Sequence, residues 1–356
     1  MTVIVNRPEI NLQKKLNELD KPVGIGGQQV LQSNTVRDAQ NVLGVGRKNL
    51  LLNSQFHINQ RGEDVASGVT ISGVNNYFTV DRWNEYNNSG VTRKVTINYN
   101  VQLPDGTMCN SYKSEHVSGT TNWMHPVQQI PFENWMYGKT FAVSTWVKTS
   151  IPNFRMRVCD TTSCYLIGPV IPDDGEWHYV TGTVTFPDHG LNSSAVTQWQ
   201  PAFGSGSMSA TDYIEFACMQ VEVGEVSTPF EWRSYQDELQ LCKRYYHKLN
   251  GGTSGIDLDQ YAPITFWMES TGAMKGIYEY PVEMRDIPTV TVTGSWTIDG
   301  GTSGNPSVTL LNNQQGTAGK KAVRFEFTGT FDARDGGILR YATDGSTYIE
   351  FDAEVV

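Results

Sequence analysis

Long apolar runs are missing from this 356-residue chain. No stretch of about 18 apolar residues exists, so no membrane insertion is expected. Basic charge is scarce too: 27 Lys and Arg stand against 37 Asp and Glu, a net charge of -10. That balance disfavours nucleic acid as a partner, because phosphate recognition needs an excess of cations. Cysteine is sparse, with five residues and no metal-like pair spacing, so no metal or other cofactor is expected. Cys159 and Cys164 enclose "DTTS" and could meet across a hairpin, but cytoplasmic thiols stay reduced. The first residues, "MTVIVNRPEINLQKK", lack the apolar core of a signal peptide, so assembly in a cytoplasm is expected.

Catalytic signatures are also lacking. No G-x-S-x-G occurs, which removes the usual nucleophile elbow. "GIGG" and "GVG" neither follow a strand nor carry the Lys-Ser/Thr pair of a phosphate loop. His116 and His125 have no Cys or acid near them at zinc spacing. Glycan cleavage needs two carboxylates about 5–10 Å apart. The candidate pairs Asp173/Asp174, Asp212/Glu215 and Asp257/Asp259 all read as solvated turn or strand-edge carboxylates. The expectation is a protein that is not an enzyme.

What the chain has is aromatic and turn-forming residues. Aromatics reach 11%, and there are 34 glycines; with abundant Asn, Ser and Thr this fits a mostly β chain. The length allows two or three domains.

Residues 1–48 differ from the rest. Asn6 with Glu9 and Pro8 can start a helix, and Leu12, Leu16 and Leu19 form one seam. Thr35 with Asp38 opens a second helix that carries Val36, Ala39 and Leu43 on one face. Such thin seams cannot form a core alone, so residues 1–48 are expected to be an anchor for a partner or for copies of the same chain. From residue 49 to 233 the pattern alternates with period two. "KVTINYNV" (94–101), "TFAVSTWVKT" (140–149), "NFRMRVC" (153–159), "WHYVTGTVTF" (177–186) and "YIEFACMQVEVG" (213–224) predict an antiparallel β-sandwich. Within the opening block, Leu50, Leu52, Phe56 and Ile58 are expected to point inward, with a bend at Asn53 and Ser54. Residues 234–249 read as a helical connector of about three turns. Ser234 and Asp237 make its capping box, and Leu239, Cys242 and Tyr246 share a face. Residues 250–356 return to strands separated by "DGGTSGNP", "NNQQGTAG" and "DARDGG", a second, smaller β domain.

"GVGRKNLLLNSQFHINQRG" with "YFTVDRW" (77–83), "FAVSTWVKTS" (141–150), "GEWHYVTGTVTF" (175–186) and "MQVEVGEVSTPFEWRSYQDELQLCKRYY" (219–246) resemble, in order, the blocks of a bacteriophage tail-fibre and receptor-binding protein family. "YEYPVEMRDIPTVTV" (278–292) and the "FDAEV" end resemble the module that often follows. "NLLLNSQF" is also similar to the first strand of jelly-roll carbohydrate-binding modules. Those carry an acid that helps hold a structural calcium where this chain has His57, so no calcium site is expected. The resemblance implies a virion protein assembled in the host cytoplasm, attached to other tail or capsid proteins, most often as a homotrimer, with host surface polysaccharide as its partner. The alternatives are a capsid-decoration or tail-adaptor subunit without receptor binding, and a polysaccharide depolymerase.

A sugar site needs an exposed flat ring among amides or carboxylates. "SGTTNWMHPVQQIPFENWMYGK" (118–139) offers Trp123, Trp135 and Tyr137, and "TQWQPAF" adds Trp199. Trp146 and Trp177 are expected to lie inside the sandwich.

Overall fold

The computed structural model describes residues 49–354 except 74–76, 86–89, 121–125, 132–133, 160–163, 187–195, 200–207, 251–263, 271–272, 295, 300–306, 312–317, 329–337 and 342–346. The chain divides into two compact units, 1–49 and 50–356. The expected anchor residues Leu12, Leu16, Leu19, Val36 and Leu43 lie outside the described residues. The second unit is mostly β, and every strand pairing described in it is antiparallel.

A six-stranded sheet runs in the order β1 (Val69–Ser72), β4 (Thr92–Gln102), β5 (Met108–Ser118), β12 (Tyr213–Val223), β7 (Thr140–Thr149), β10 (His178–Thr185). A four-stranded sheet orders β11 (Val196–Trp199), β6 (Pro126–Pro131), β3 (Trp83–Glu85) and β2 (Tyr77–Val80). A hairpin of β8 (Phe154–Cys159) and β9 (Cys164–Ile171) completes the sandwich. Alternation decides which side chains enter the core. Phe141, Val143 and Val147 of β7 and Val180 and Val184 of β10 join one cluster with Phe56, Val80, Trp83, Phe154 and Met156. A slip of one residue in β7 alone would expose those three apolar side chains, at about 1.5–3 kcal/mol each. That sum far exceeds any single hydrogen bond, so the apolar pattern fixes the register.

The opening block departs from the expected alternation. Leu51 and Leu52 are both buried while Leu50 is half-buried, and no strand forms there. Asn53 and Phe56 adopt φ of 53° and 52°, a left-handed turn that breaks period two. Asn53 stabilises it: its Nδ2 donates to the carbonyls of Ile58 and Asp81 at 2.9 Å. Its Oδ1 accepts from the amides of His57 and Ile58. Phe56 and Ile58 are buried as expected.

The helix α1 (Tyr235–Lys243) is capped by Ser234, whose Oγ accepts from the Asp237 amide at 3.2 Å. It is shorter than its sequence suggests, and Tyr246 falls on the next strand rather than on the helix. Beyond it, β13 (Tyr246–Asn250), β21 (Tyr348–Asp352) and β16 (Thr289–Thr293) form a three-stranded sheet. A further six-stranded sheet orders β14 (Thr265–Ser270), β15 (Ala273–Glu279), β19 (Ala322–Thr328), β18 (Ser307–Leu311), β17 (Trp296–Asp299) and β20 (Ile338–Tyr341). Tyr278, Val290, Trp296, Phe325, Ile349 and Phe351 make a second, separate core.

Candidate ligand-binding face

Side chains of opposite parity from the core leave the large sheet on its outer side. Register partners in an antiparallel ladder share a face, and one row crosses five strands: Asn98–Ser111–Ala217–Trp146–Tyr179. The adjacent row is Thr96–Lys113–Glu215–Lys148. Together they place aromatic rings beside a polar hub.

Glu215 is the centre of that hub. Its Oε1 accepts from Asn98 Nδ2 at 2.8 Å and from the Ser111 hydroxyl, and its Oε2 lies 3.0 Å from Lys148 Nζ. Lys148 Nζ also sits 4.8 Å from the centroid of the Trp177 ring. Lys113 Nζ donates to Glu115 at 2.8 Å and lies 4.6 Å from the Tyr213 ring centroid. Each charge is therefore held in place by an opposite charge or a π-face. The Trp146 and Tyr179 rings are 5.3 Å apart, and Tyr179 is 47% exposed.

The segment 227–233 crosses the same side. Thr228 donates from its amide and its hydroxyl to the two Glu222 oxygens at 2.7 Å. The Glu231 amide donates to Gln220 Oε1 at 2.8 Å, and Thr181 Oγ1 donates to Ser227 Oγ at 3.0 Å. This strap lays Phe230 against Leu103, Cys109, Ala217 and Cys218, where Trp146 and Trp177 also pack. Trp232, 52% exposed, meets the Phe230 ring edge-on at 5.0 Å. The result is a ledge of flat rings bordered by fixed donors and acceptors.

Of the expected site residues, the two whose side chains are described, Trp135 and Tyr137, are not part of this ledge. Trp135, on a 3-10 turn (Asn134–Met136), packs half-buried on the main core with its ring 6.4 Å from Phe141. Tyr137 follows it, half-buried. Trp123 lies outside the described residues, as does the side chain of Trp199, whose backbone pairs with Gln128 in the four-stranded sheet. Trp146 and Trp177 are a correction: they lie on the outer face, not inside the sandwich. The signal was present in "TFAVSTWVKT", where Trp146 shares parity with Ser144 and Lys148 and not with Phe141, Val143 and Val147. Of the carboxylate pairs, expected to be solvated, Glu215 is instead buried on β12, inside the large sheet, and held as above; Asp212 accepts from the Ser209 amide at 2.7 Å, and Asp174 bonds His178. Asp257 and Asp259 lie outside the described residues.

A cleft of about 650 Å³ lies elsewhere, lined by Arg61, Glu63, Tyr77, Phe78, Lys248 and Glu350 among others. Its cations are engaged. Arg61 lies 4.6 Å from the Phe78 ring centroid and 3.7 Å from that of Tyr246, and 3.5 Å from both Asp352 and Glu354. Lys248 sits 4.0 Å from the Tyr348 ring centroid and 3.5 Å from Glu350. The cleft is thus a stitched seam between the two β lobes. Among the described residues no group of three or more His, Cys, Asp or Glu could hold a metal ion.

No family model matches the chain, and no curated protein matches it. Among solved structures it is similar to the CBM22-1 xylan-binding domain of Paenibacillus barcinonensis Xyn10C, at 13% identity over 45% of this chain and 95% of that one, TM-score 0.28. It is similar to the enzymatically active domain of bacteriophage CBA120 tailspike protein 4, at 13% identity over 49% and 21% of the two chains, TM-score 0.28. A cyclase from Fischerella sp. TAU in complex with 4-(1H-indol-3-yl)butan-2-one gives 7% identity over 51% and 100%, TM-score 0.34. At these scores the likenesses carry no argument, and the face is interpreted from its own residues.

Proposed function

We propose that this chain is a structural protein of a bacteriophage virion, of the tail-fibre kind. Residues 1–48 attach it to the particle, and the outer face of the large sheet contacts host surface polysaccharide. The ordered blocks from "GVGRKNLLLNSQF" to "LCKRYY" support the virion part. A homotrimer accords with it, because a threefold axis gives the thin seam of Leu12, Leu16 and Leu19 a surface to bury against.

The observation that carries the glycan part is the pairing of Trp146 with Tyr179 beside the Glu215 hub. Sugars present apolar ring faces and many hydroxyls, and this ledge offers flat rings next to donors and acceptors whose positions are already fixed. The role is adhesive. Glu215 is buried and engaged by Asn98, Ser111 and Lys148, so it orients the side chains around it, and Lys148 lies against the Trp177 ring at the rim of the ledge.

The test is calorimetric titration of the full chain with polysaccharide from susceptible hosts. Tyr179→Ala and Trp146→Ala should each weaken binding about tenfold, equivalent to roughly 1.4 kcal/mol. The Tyr179→Ala variant should keep its melting temperature. Failure to bind polysaccharide or cells of any susceptible host would turn the assignment to a capsid-decoration or tail-adaptor subunit. Release of reducing sugar would turn it to a depolymerase.

A further inference from the structure

Beneath the aromatic ledge two cysteines of neighbouring strands pack in one buried cluster. The ladder between β5 and β12 ends at the pair Ala217 and Ser111. Cys109 lies two residues before Ser111 and therefore on the same side of β5. Cys218 comes next after Ala217, inside the irregularity that separates Ala217 from Gln220 in the β12–β7 ladder. Its φ of 51° is left-handed, a conformation a non-glycine residue adopts only where its surroundings impose it. The consequence is that Cys218 packs with Cys109, Leu103 and Ala217 in one cluster, when plain alternation would turn it inward.

We propose that Cys109 and Cys218 form a reversible cross-strand disulfide, made by exchange with a small-molecule disulfide when the chain meets an oxidising medium. Cys109 and Cys218 are not register partners: the ladder continued past Ser111 and Ala217 would set Cys218 opposite Asn110, and it is the slip at Cys218 that brings its side chain into one cluster with Cys109. Interaction between the two thiols lowers the Cys109 pKa and, together with burial, raises that of Cys218. Each residue keeps 7% of its surface open to solvent.

The Cys109 thiolate attacks one sulfur of the external disulfide and expels a thiolate. The Cys218 thiol then gives its proton to the medium and attacks Cys109 Sγ in the mixed disulfide, expelling the second thiolate. Two protein thiols are oxidised and one external disulfide is reduced to two thiols. The new bond ties β5 to β12 where their backbone pairing stops, directly under Trp146, Trp177 and Phe230. The inference stands whether or not that ledge binds glycan.

Cys159 and Cys164 are register partners in the β8–β9 hairpin and must be removed from the count. The experiment uses the full chain carrying Cys159→Ser and Cys164→Ser, incubated folded with oxidised glutathione, then alkylated, denatured and mapped by mass spectrometry. Two of the three remaining thiols should be lost, one cross-linked peptide should join Cys109 to Cys218, and dithiothreitol should restore both. Adding Cys218→Ser should leave a single glutathione on Cys109. If the hairpin substitutions prevent folding, the same cross-linked peptide is sought in the unsubstituted chain. Persistence of all three thiols in the folded protein, while a urea-unfolded sample oxidises, would overturn the proposal. So would a stable glutathione adduct on Cys109 with Cys218 intact.

Discussion

Arg82 donates to the Glu354 carboxylate across 272 positions of sequence, and the side chains are only 2% and 1% exposed. The guanidinium also donates to the Gln129 carbonyl and lies 3.6 Å from the Tyr245 ring centroid. One residue of the first sandwich thereby holds the four-stranded sheet, the end of the helix and the last residues of the second lobe. Removing one partner of such a pair leaves a buried charge uncompensated, at about 3–5 kcal/mol. Arg82→Ala should lower unfolding stability by that order. Arg82→Met combined with Glu354→Leu should lower it less. Urea unfolding of the single and double variants checks this, and equal losses in both would contradict it.

Asp81 supplies the pH dependence of the same seam. Burial pushes its carboxyl pKa up to about 7, against the opposing pull of Gln60 and Arg61, and Glu354 raises it further. A carboxyl whose folded-state pKa exceeds its unfolded value holds its proton more tightly in the native state. Its contribution is therefore most favourable below about pH 4 and is lost as pH rises through 7, by up to about 4 kcal/mol. Asp81→Asn keeps an acceptor for the Gln60 amide and cannot ionise. The stability difference between Asp81→Asn and the parent should grow in favour of Asn from pH 5 to pH 8. Parallel melting-temperature profiles of the two proteins over that range would rule this out.

Asn53 makes two separable contributions. Its side chain holds the opening turn through four hydrogen bonds to residues 57, 58 and 81, and its backbone holds φ at 53°. Both Asn53→Ala and Asn53→Gly lose the side-chain bonds; the Asp81 carbonyl loses the Asn53 donor, while the Ile58 carbonyl keeps the Asp81 amide, at about 1–3 kcal/mol. Only alanine adds the left-handed backbone cost, about 1 kcal/mol more. Asn53→Gly should therefore be the less destabilising of the two in chemical denaturation. The reverse order would show that the turn does not persist in the variants.

The stretch "TFAVSTWVKT" carried its own strand limits, since β7 runs from Thr140 to Thr149. The Ser234 cap was equally legible, because a cap is a contact between residues three apart. Strand type, the alternation of buried and exposed positions and helix starts are local, and neighbours in sequence determine them. The outward parity of Trp146 was written there as well. The sequence could not show that Trp146 lies opposite Tyr179 and Ala217, or that Glu215 meets Asn98 and Lys148. Nor could it show that a left-handed Cys218 brings its thiol to Cys109. Those facts depend on which strands become neighbours and where a ladder slips. The chain resolves such choices only by burying two cores at once, so tertiary packing decided the site while local patterning decided its parts.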